Sequence, residues 1–138
     1  MPRTSIPIVP DSTVLVVDDD PVILKLLEVN FEMEGFTVLT AKDGEEGIEV
    51  ARSEQPDLIV SDIMMPKKSG LELVIDLKSD PRTSEIPIIL LSAKAQNADV
   101  RSGMDAGADD YVTKPFEPLD LVDRVNRLLE ARASKRSS

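Results

Sequence analysis

Val14-Leu15-Val16-Val17-Asp18-Asp19-Asp20-Pro21 decides the fold. Its four apolar residues, three of them β-branched, read as a strand buried on both faces. Three aspartates end that strand, and Pro21 then suits a first helical position with Asp20 as the N-cap. An apolar strand that passes through an acidic edge into a capped helix is the opening of a βα unit.

The same grammar repeats downstream. The first helix carries Ile23, Leu26, Leu27, Asn30 and Phe31 on one face, with Lys25, Glu28 and Glu32 opposite and Gly35 as its stop. Phe36 to Thr40 is a second strand. Helix two covers about Glu45 to Ser53, turning Ile48 and Ala51 inward before Pro56 blocks continuation. Leu58 to Ser61 leads to Asp62, and helix three, Gly70 to Ser79, presents Leu71, Val74 and Ile75 ahead of Pro81. Ile86 to Leu91 is a fourth strand ending at Ser92. Helix four, Gln96 to Asp105, is the weakest: Gly103 lowers its propensity and Ala98, Val100 and Met104 make a poor stripe, so mobility is expected there. Tyr111 to Thr113 is a short fifth strand running into Lys114-Pro115, and Leu121, Val122, Val125, Leu128 and Leu129 stripe the final helix. Strands alternating with helices predict an α/β fold, a doubly wound five-stranded parallel sheet covered on both faces. The domain should occupy residues 13–131. Residues 1–12, with Pro2, Pro7 and Pro10, are expected to be a disordered N-terminal tail, and 132–138 a basic C-terminal tail or the start of a linker.

Composition narrows the function. The 138 residues suffice for one domain, and 41% hydrophobic with 30% charged residues can bury a core and stay soluble. A net charge of -10 works against nonspecific attraction to nucleic acid or an anionic membrane, so no direct nucleic-acid binding by this chain is expected. The apolar run Ile86 to Leu91, broken by Pro87, falls short of the roughly 18 residues of a membrane span, and Met1 to Ser12 lacks a secretory signal's apolar stretch. A cytoplasmic protein is the expectation. The absence of cysteine excludes disulfides and thiolate chemistry. The absence of histidine means that any phosphohistidine must be brought by a partner.

Ligands of open α/β sheets bind outside the carboxyl ends of the strands, where the strand order reverses. Here those ends carry Asp18 and Asp19, then Asp62, Ser92 and Lys114. Two carboxylates about 4 Å apart repel by about 4 kcal/mol at an effective dielectric near 20, so the cluster calls for a cation or a raised pKa. With oxygen ligands alone, a hard ion such as octahedral Mg²⁺ fits and zinc does not. Next to that ion, Asp62 can attack phosphorus in line, Lys114 can neutralise phosphoryl oxygens, and Ser92 can donate a hydrogen bond to them.

Four motifs at these strand ends resemble the receiver domain family of two-component response regulators over about Thr13 to Glu130. They are Val-Val-Asp-Asp-Asp-Pro at 16–21, Val-Ser-Asp-Ile-Met-Met-Pro at 60–66, Leu-Leu-Ser-Ala at 90–93 and Tyr-Val-Thr-Lys-Pro-Phe at 111–116. The resemblance implies a flavodoxin-like (βα)5 fold with strand order 2-1-3-4-5. It implies Asp62 as phosphoacceptor, Mg²⁺ held by Asp18, Asp19, Asp62 and the Met64 carbonyl, Ser92 and Tyr111 as switch residues, and a cis Lys114-Pro115 peptide. It further implies a phosphoacceptor switch that catalyses only its own phosphorylation and dephosphorylation. Its partners would be a histidine kinase or histidine phosphotransfer protein and a downstream protein target engaged through helix four, strand five and helix five. Ser92 stands where threonine is commoner, keeping the hydroxyl without the methyl that restricts its rotamer. Met64 and Lys94 fall at variable positions flanking the phosphoryl group. Apolar Met64 offers attacking water no hydrogen bond, which favours slow self-hydrolysis.

Three other readings share parts of this pattern. A magnesium phosphohydrolase with an aspartyl-phosphate intermediate would carry a second carboxylate two residues after the nucleophile, where this chain has Met64. A cofactor binder on the same architecture would need a Ser/Thr/Gly-rich phosphate loop after strand one, and none follows. The chain could also be the receiver portion of a transcription factor or signalling enzyme, its basic end the start of a linker.

Overall fold

Apolar β-branched runs become strands and capped, striped segments become helices, in strict alternation. The computed structural model describes residues 12–93 and 97–137. In chain order these form β1 (Thr13–Val17), α1 (Pro21–Met33), β2 (Thr37–Ala41), α2 (Gly44–Glu54) and β3 (Leu58–Asp62). They continue as α3 (Gly70–Lys78), β4 (Ile88–Ser92), α4 (Asn97–Ala106), β5 (Asp110–Thr113) and α5 (Pro118–Ser137). All neighbouring strands are parallel, in the order β2-β1-β3-β4-β5. The reversal falls between β1 and β3, so the crevice opens beside Asp18 and Asp62.

Alternate residues of the strands feed two cores, one on each face of the sheet. Val14, Val16, Leu58, Val60, Ile89 and Leu91 pack with Leu27 and Phe31 of α1 and Leu121, Val122 and Val125 of α5. Leu15, Val17, Ile59, Ile88 and Leu90 pack with Ile48 and Ala51 of α2 and Leu73, Val74 and Leu77 of α3. Each fully buried aliphatic side chain contributes about 1.5–3 kcal/mol relative to exposure. The rings of Phe31 and Phe36 meet edge to face at 5.9 Å, closing α1 onto the start of β2.

The structure departs from the sequence reading in several places. In α1 the buried row is Leu27 and Phe31, supported by Ile23 and Leu24, whereas Leu26 is exposed and Asn30 bonds back to the Leu26 carbonyl at 2.8 Å. In α3, Leu73, Val74 and Leu77 are buried while Ile75 faces solvent. β4 begins at Ile88 because Pro87 has no N–H for the ladder, although Ile86 stays buried. Ser12 is not part of a tail: it is buried and its carbonyl accepts the Thr37 N–H. Residues 132–137 continue α5, where alanine, lysine and arginine favour helix without an apolar stripe. Arg132 anchors that stretch by donating to the Asp57 carbonyl at 2.8 Å. The rest of the expected N-terminal tail, Lys94 and the expected helix start at Gln96 lie outside the described residues.

Candidate functional site

The three successive aspartates after β1 have three different fates. Asp18 is buried, its N–H donates to the Ala41 carbonyl and its carboxylate accepts the Asp20 N–H at 2.9 Å. Asp19 is exposed at the mouth of the crevice. Asp20 caps α1 by accepting the Val22 N–H at 2.9 Å, with Pro21 at the first helical position. Only the first two are therefore left to serve a ligand.

Asp62 ends β3 with its side chain nearly covered, 8% exposed. The following turn is pinned on both sides, because Ile63 donates to the Leu91 carbonyl and Gly70 donates to the Ile63 carbonyl. Gly70 also has no side chain for a reason: a Cβ there would overlap the Asp62 carbonyl oxygen. α3 starts against that backbone, fixed by a capping box between Ser69 and Glu72. A Cβ on Gly44 would likewise collide with the Lys68 carbonyl, so α2 closes on the same loop.

One carboxylate oxygen from each of Asp18, Asp19 and Asp62 lies within 4.8 Å of the others. The Lys114 ammonium reaches in from the end of β5, 3.2 Å from Asp18 and 3.3 Å from Asp62. The backbone N–H of Lys114 donates to the Ser92 carbonyl at 2.8 Å, and the Lys114–Pro115 peptide is cis. Ser92 is buried at the end of β4, paired in register with Thr113. Met64 is exposed two residues beyond Asp62. Tyr111 stands further back, half-buried against the core under α4.

Burial pushes the Asp62 carboxyl above its ordinary value, and the negative charge of Asp18 adds to this; Lys114 pulls the other way without cancelling it. Burial acts to lower the Lys114 ammonium, but Asp18 and Asp62 outweigh it and hold the group above its usual range. Three carboxylates facing one ammonium leave the pocket short of positive charge. With oxygen donors alone, the set fits a hard divalent cation such as Mg²⁺.

The expected residues Asp18, Asp19, Asp62 and Lys114 are thus brought together, and Ser92 is tied to Lys114 through its carbonyl. Gly70 and Gly44 were not singled out as site residues from sequence. Their only linear signal was a glycine at a helix start, which carries no hint of the loop it touches.

A doubly wound parallel sheet with an aspartate cluster and a bridging lysine at its carboxyl edge defines a receiver-type signalling domain. The chain belongs to the response regulator receiver domain family, which it matches over residues 14–126. It is 45% identical over 116 residues to the DNA-binding dual master transcriptional regulator RpaA of Synechocystis, a match spanning 84% of this chain and 48% of that protein. It is 45% identical to the alkaline phosphatase synthesis transcriptional regulatory protein PhoP of Bacillus subtilis, with the same shares covered. The chain therefore spans about half the length of these curated relatives. Among solved structures, it superimposes on a putative response regulator from Chloroflexus aurantiacus with a TM-score of 0.83 and 35% identity, covering 87% of this chain and 98% of that one. The chemotaxis response regulator CheY4 of Vibrio cholerae gives a TM-score of 0.81 at 30% identity, covering 86% and 98%. The fold is the flavodoxin-like one these receivers share. No helix among the described residues is long and apolar enough to cross a membrane.

Proposed function

We propose that Asp62 accepts a phosphoryl group from the phosphohistidine of a partner histidine kinase or histidine phosphotransfer protein. The observation that carries this is a buried carboxylate placed both within 4.8 Å of two further carboxylates and 3.3 Å from an ammonium. An Asp62 oxygen attacks phosphorus in line, the phosphorus–nitrogen bond breaks, and the imidazole departs and retains or takes up its proton as neutral histidine. Asp18, Asp19, Asp62 and the Met64 carbonyl would hold Mg²⁺. When bound, the cation neutralises the transferring oxygens and favours the anionic form of Asp62. Lys114 is already at the Asp62 oxygen and needs only a short movement to pair with the phosphoryl group. Ser92 supplies a hydroxyl to the same group and Tyr111 passes its change on to α4, β5 and α5.

An apolar groove lined by Val22, Leu26 and Val29 of α1 opens next to the acidic edge, which supports a protein donor. The added charge shifts populations, because Lys114 and Ser92 contact it differently in the two states. A downstream protein then reads the α4–β5–α5 face. The test is incubation with a small phosphodonor, followed by intact mass. The wild type should gain one phosphoryl mass only with Mg²⁺, and Asp62→Asn should gain none. An adduct on Asp62→Asn, or one formed equally in chelator, overturns the reading.

A further inference from the structure

Between the apolar part of β3 and Asp62 stands a serine. Ser61 is fully buried, and its partners across the sheet are Val17 of β1 and Leu90 of β4, both members of the α2–α3 core. Packing alone does not ask for a hydroxyl here. An apolar side chain would suit these neighbours, and a hydroxyl buried without a hydrogen bond is destabilising.

The hydroxyl does have a partner, and it belongs to the next residue. Ser61 Oγ donates to the Asp62 carbonyl oxygen at 2.9 Å. The pairing of β1 with β3 ends at Val17 and Ser61, one residue short of Asp62, so the side chain supplies a bond just where that pairing stops. The other half of the same peptide unit is also fixed, because the Ile63 N–H donates to the Leu91 carbonyl at 3.0 Å. The Asp62–Ile63 peptide plane is thus held at its oxygen by Ser61 and at its nitrogen by β4. Any tilt of that rigid plane changes ψ of Asp62 and φ of Ile63 together. Those two angles set how the Asp62 carboxylate stands relative to the Met64 carbonyl two residues on.

We propose that Ser61 is a positioning residue for phosphoryl transfer: its hydroxyl sets the tilt of the Asp62–Ile63 peptide and so aims the acceptor carboxylate. Being fully buried, Ser61 touches neither the donor nor a cation, and it acts only through the Asp62 carbonyl. The kinetic part of this proposal rests on Asp62 being the phosphoacceptor. The bond and its effect on the peptide do not.

Two readouts on the intact chain test it, in wild type, Ser61→Ala and Ser61→Cys. The first is the Asp62 carbonyl carbon shift, read by triple-resonance NMR through the Ile63 amide without phosphodonor. Losing a donor to the oxygen should move this resonance upfield in Ser61→Ala, while the Val60 carbonyl holds its place. The second is the rate of adduct formation with a small phosphodonor and Mg²⁺, followed by intact mass. At saturating donor, Ser61→Ala should be slower by about tenfold, with the half-saturating donor concentration unchanged, because orientation is lost and donor binding is not.

Ser61→Cys separates the hydrogen bond from the space it fills, since a thiol occupies the site but donates weakly. It should resemble Ser61→Ala in both readouts, and it carries the test alone if Ser61→Ala does not fold. An Asp62 carbonyl resonance unmoved in Ser61→Ala, a wild-type rate in that variant, or recovery of the wild-type rate by cysteine overturns the proposal. A wild type that takes no adduct sinks the Asp62 reading instead, while the carbonyl shift still decides whether Ser61 holds the peptide.

Discussion

The two ends of the proposed switch are built very differently. Asp18 directly follows β1 and Asp62 ends β3, strands whose hydrophobic residues are wholly buried between two helical layers, and the turn after Asp62 is pinned by backbone bonds and by the close approach of Gly70. Tyr111 belongs to β5, a four-residue strand at the sheet's edge with a single buried residue, covered by an α4 whose stripe is broken by Gly103. The polar ties also differ. Lys114 joins two nearly buried carboxylates at the first region, whereas Arg124 bridges the more exposed Asp110 and Asp120 at the second. The proposed chemistry, which needs fixed distances, falls on the more enclosed part of the fold, and the proposed response on the part with less packing to lose.

The contrast can be broken at either end. The largest effect is expected for Gly70→Ala, because the new methyl must push the Asp62 carbonyl or the start of α3 aside. Displacing the acceptor by about 1 Å should slow adduct formation on the order of a hundredfold in a rate measurement with a small phosphodonor. An unchanged rate would show that the turn after Asp62 is softer than its contacts indicate.

Lys114→Ala comes next. It leaves Asp18 and Asp62 facing each other without their shared cation, and should cost about 3 kcal/mol in metal-free denaturant unfolding. Excess Mg²⁺ should restore part of that loss.

The pH dependence is smaller and has a definite sign. The unfolded Asp62 releases its proton near 3.8, whereas the folded carboxyl, raised by burial and by Asp18, holds it to higher pH. The folded state thus binds more protons in this interval, so metal-free stability falls as pH rises from 3.8 through the raised value. Denaturant midpoints at acid and neutral pH in chelator should show that fall in the wild type and lose it in Asp62→Asn. A larger fall in the variant would contradict the assignment. The smallest effect is expected for Arg124→Ala, about 0.2–1 kcal/mol in the same unfolding measurement, since exposed pairs contribute little. A cost matching that of Lys114→Ala would erase the distinction between the two regions.

Much of this was legible in the chain, for identifiable reasons. Asp18 and Ser92 follow an apolar run directly and Asp62 follows one across Ser61, and strand ends of a parallel sheet meet at one edge, so linear position translated into spatial convergence. Asp20 was readable as a cap because Pro21 marks the helix start. What failed was information carried by contacts between distant segments. Periodicity could not separate the Leu27 and Phe31 row of α1 from the adjacent Leu26 and Asn30 row, since both repeat every four residues and only the sheet selects one. Nothing near Gly70 or Gly103 in sequence announces the Asp62 carbonyl or the Tyr111 ring. The extension of α5 was hidden because the apolar stripe stops while helix-favouring residues and the Arg132 bond to Asp57 carry the helix onward.

The most direct measurement traps the acyl phosphate after brief treatment with phosphodonor and Mg²⁺, by borohydride reduction and peptide mass mapping. Reduction converts an aspartyl phosphate to homoserine, and that conversion should be found at position 62 alone. Homoserine at Asp18 or Asp19, or a stable phosphate on a hydroxyl residue with position 62 unchanged, would contradict the account.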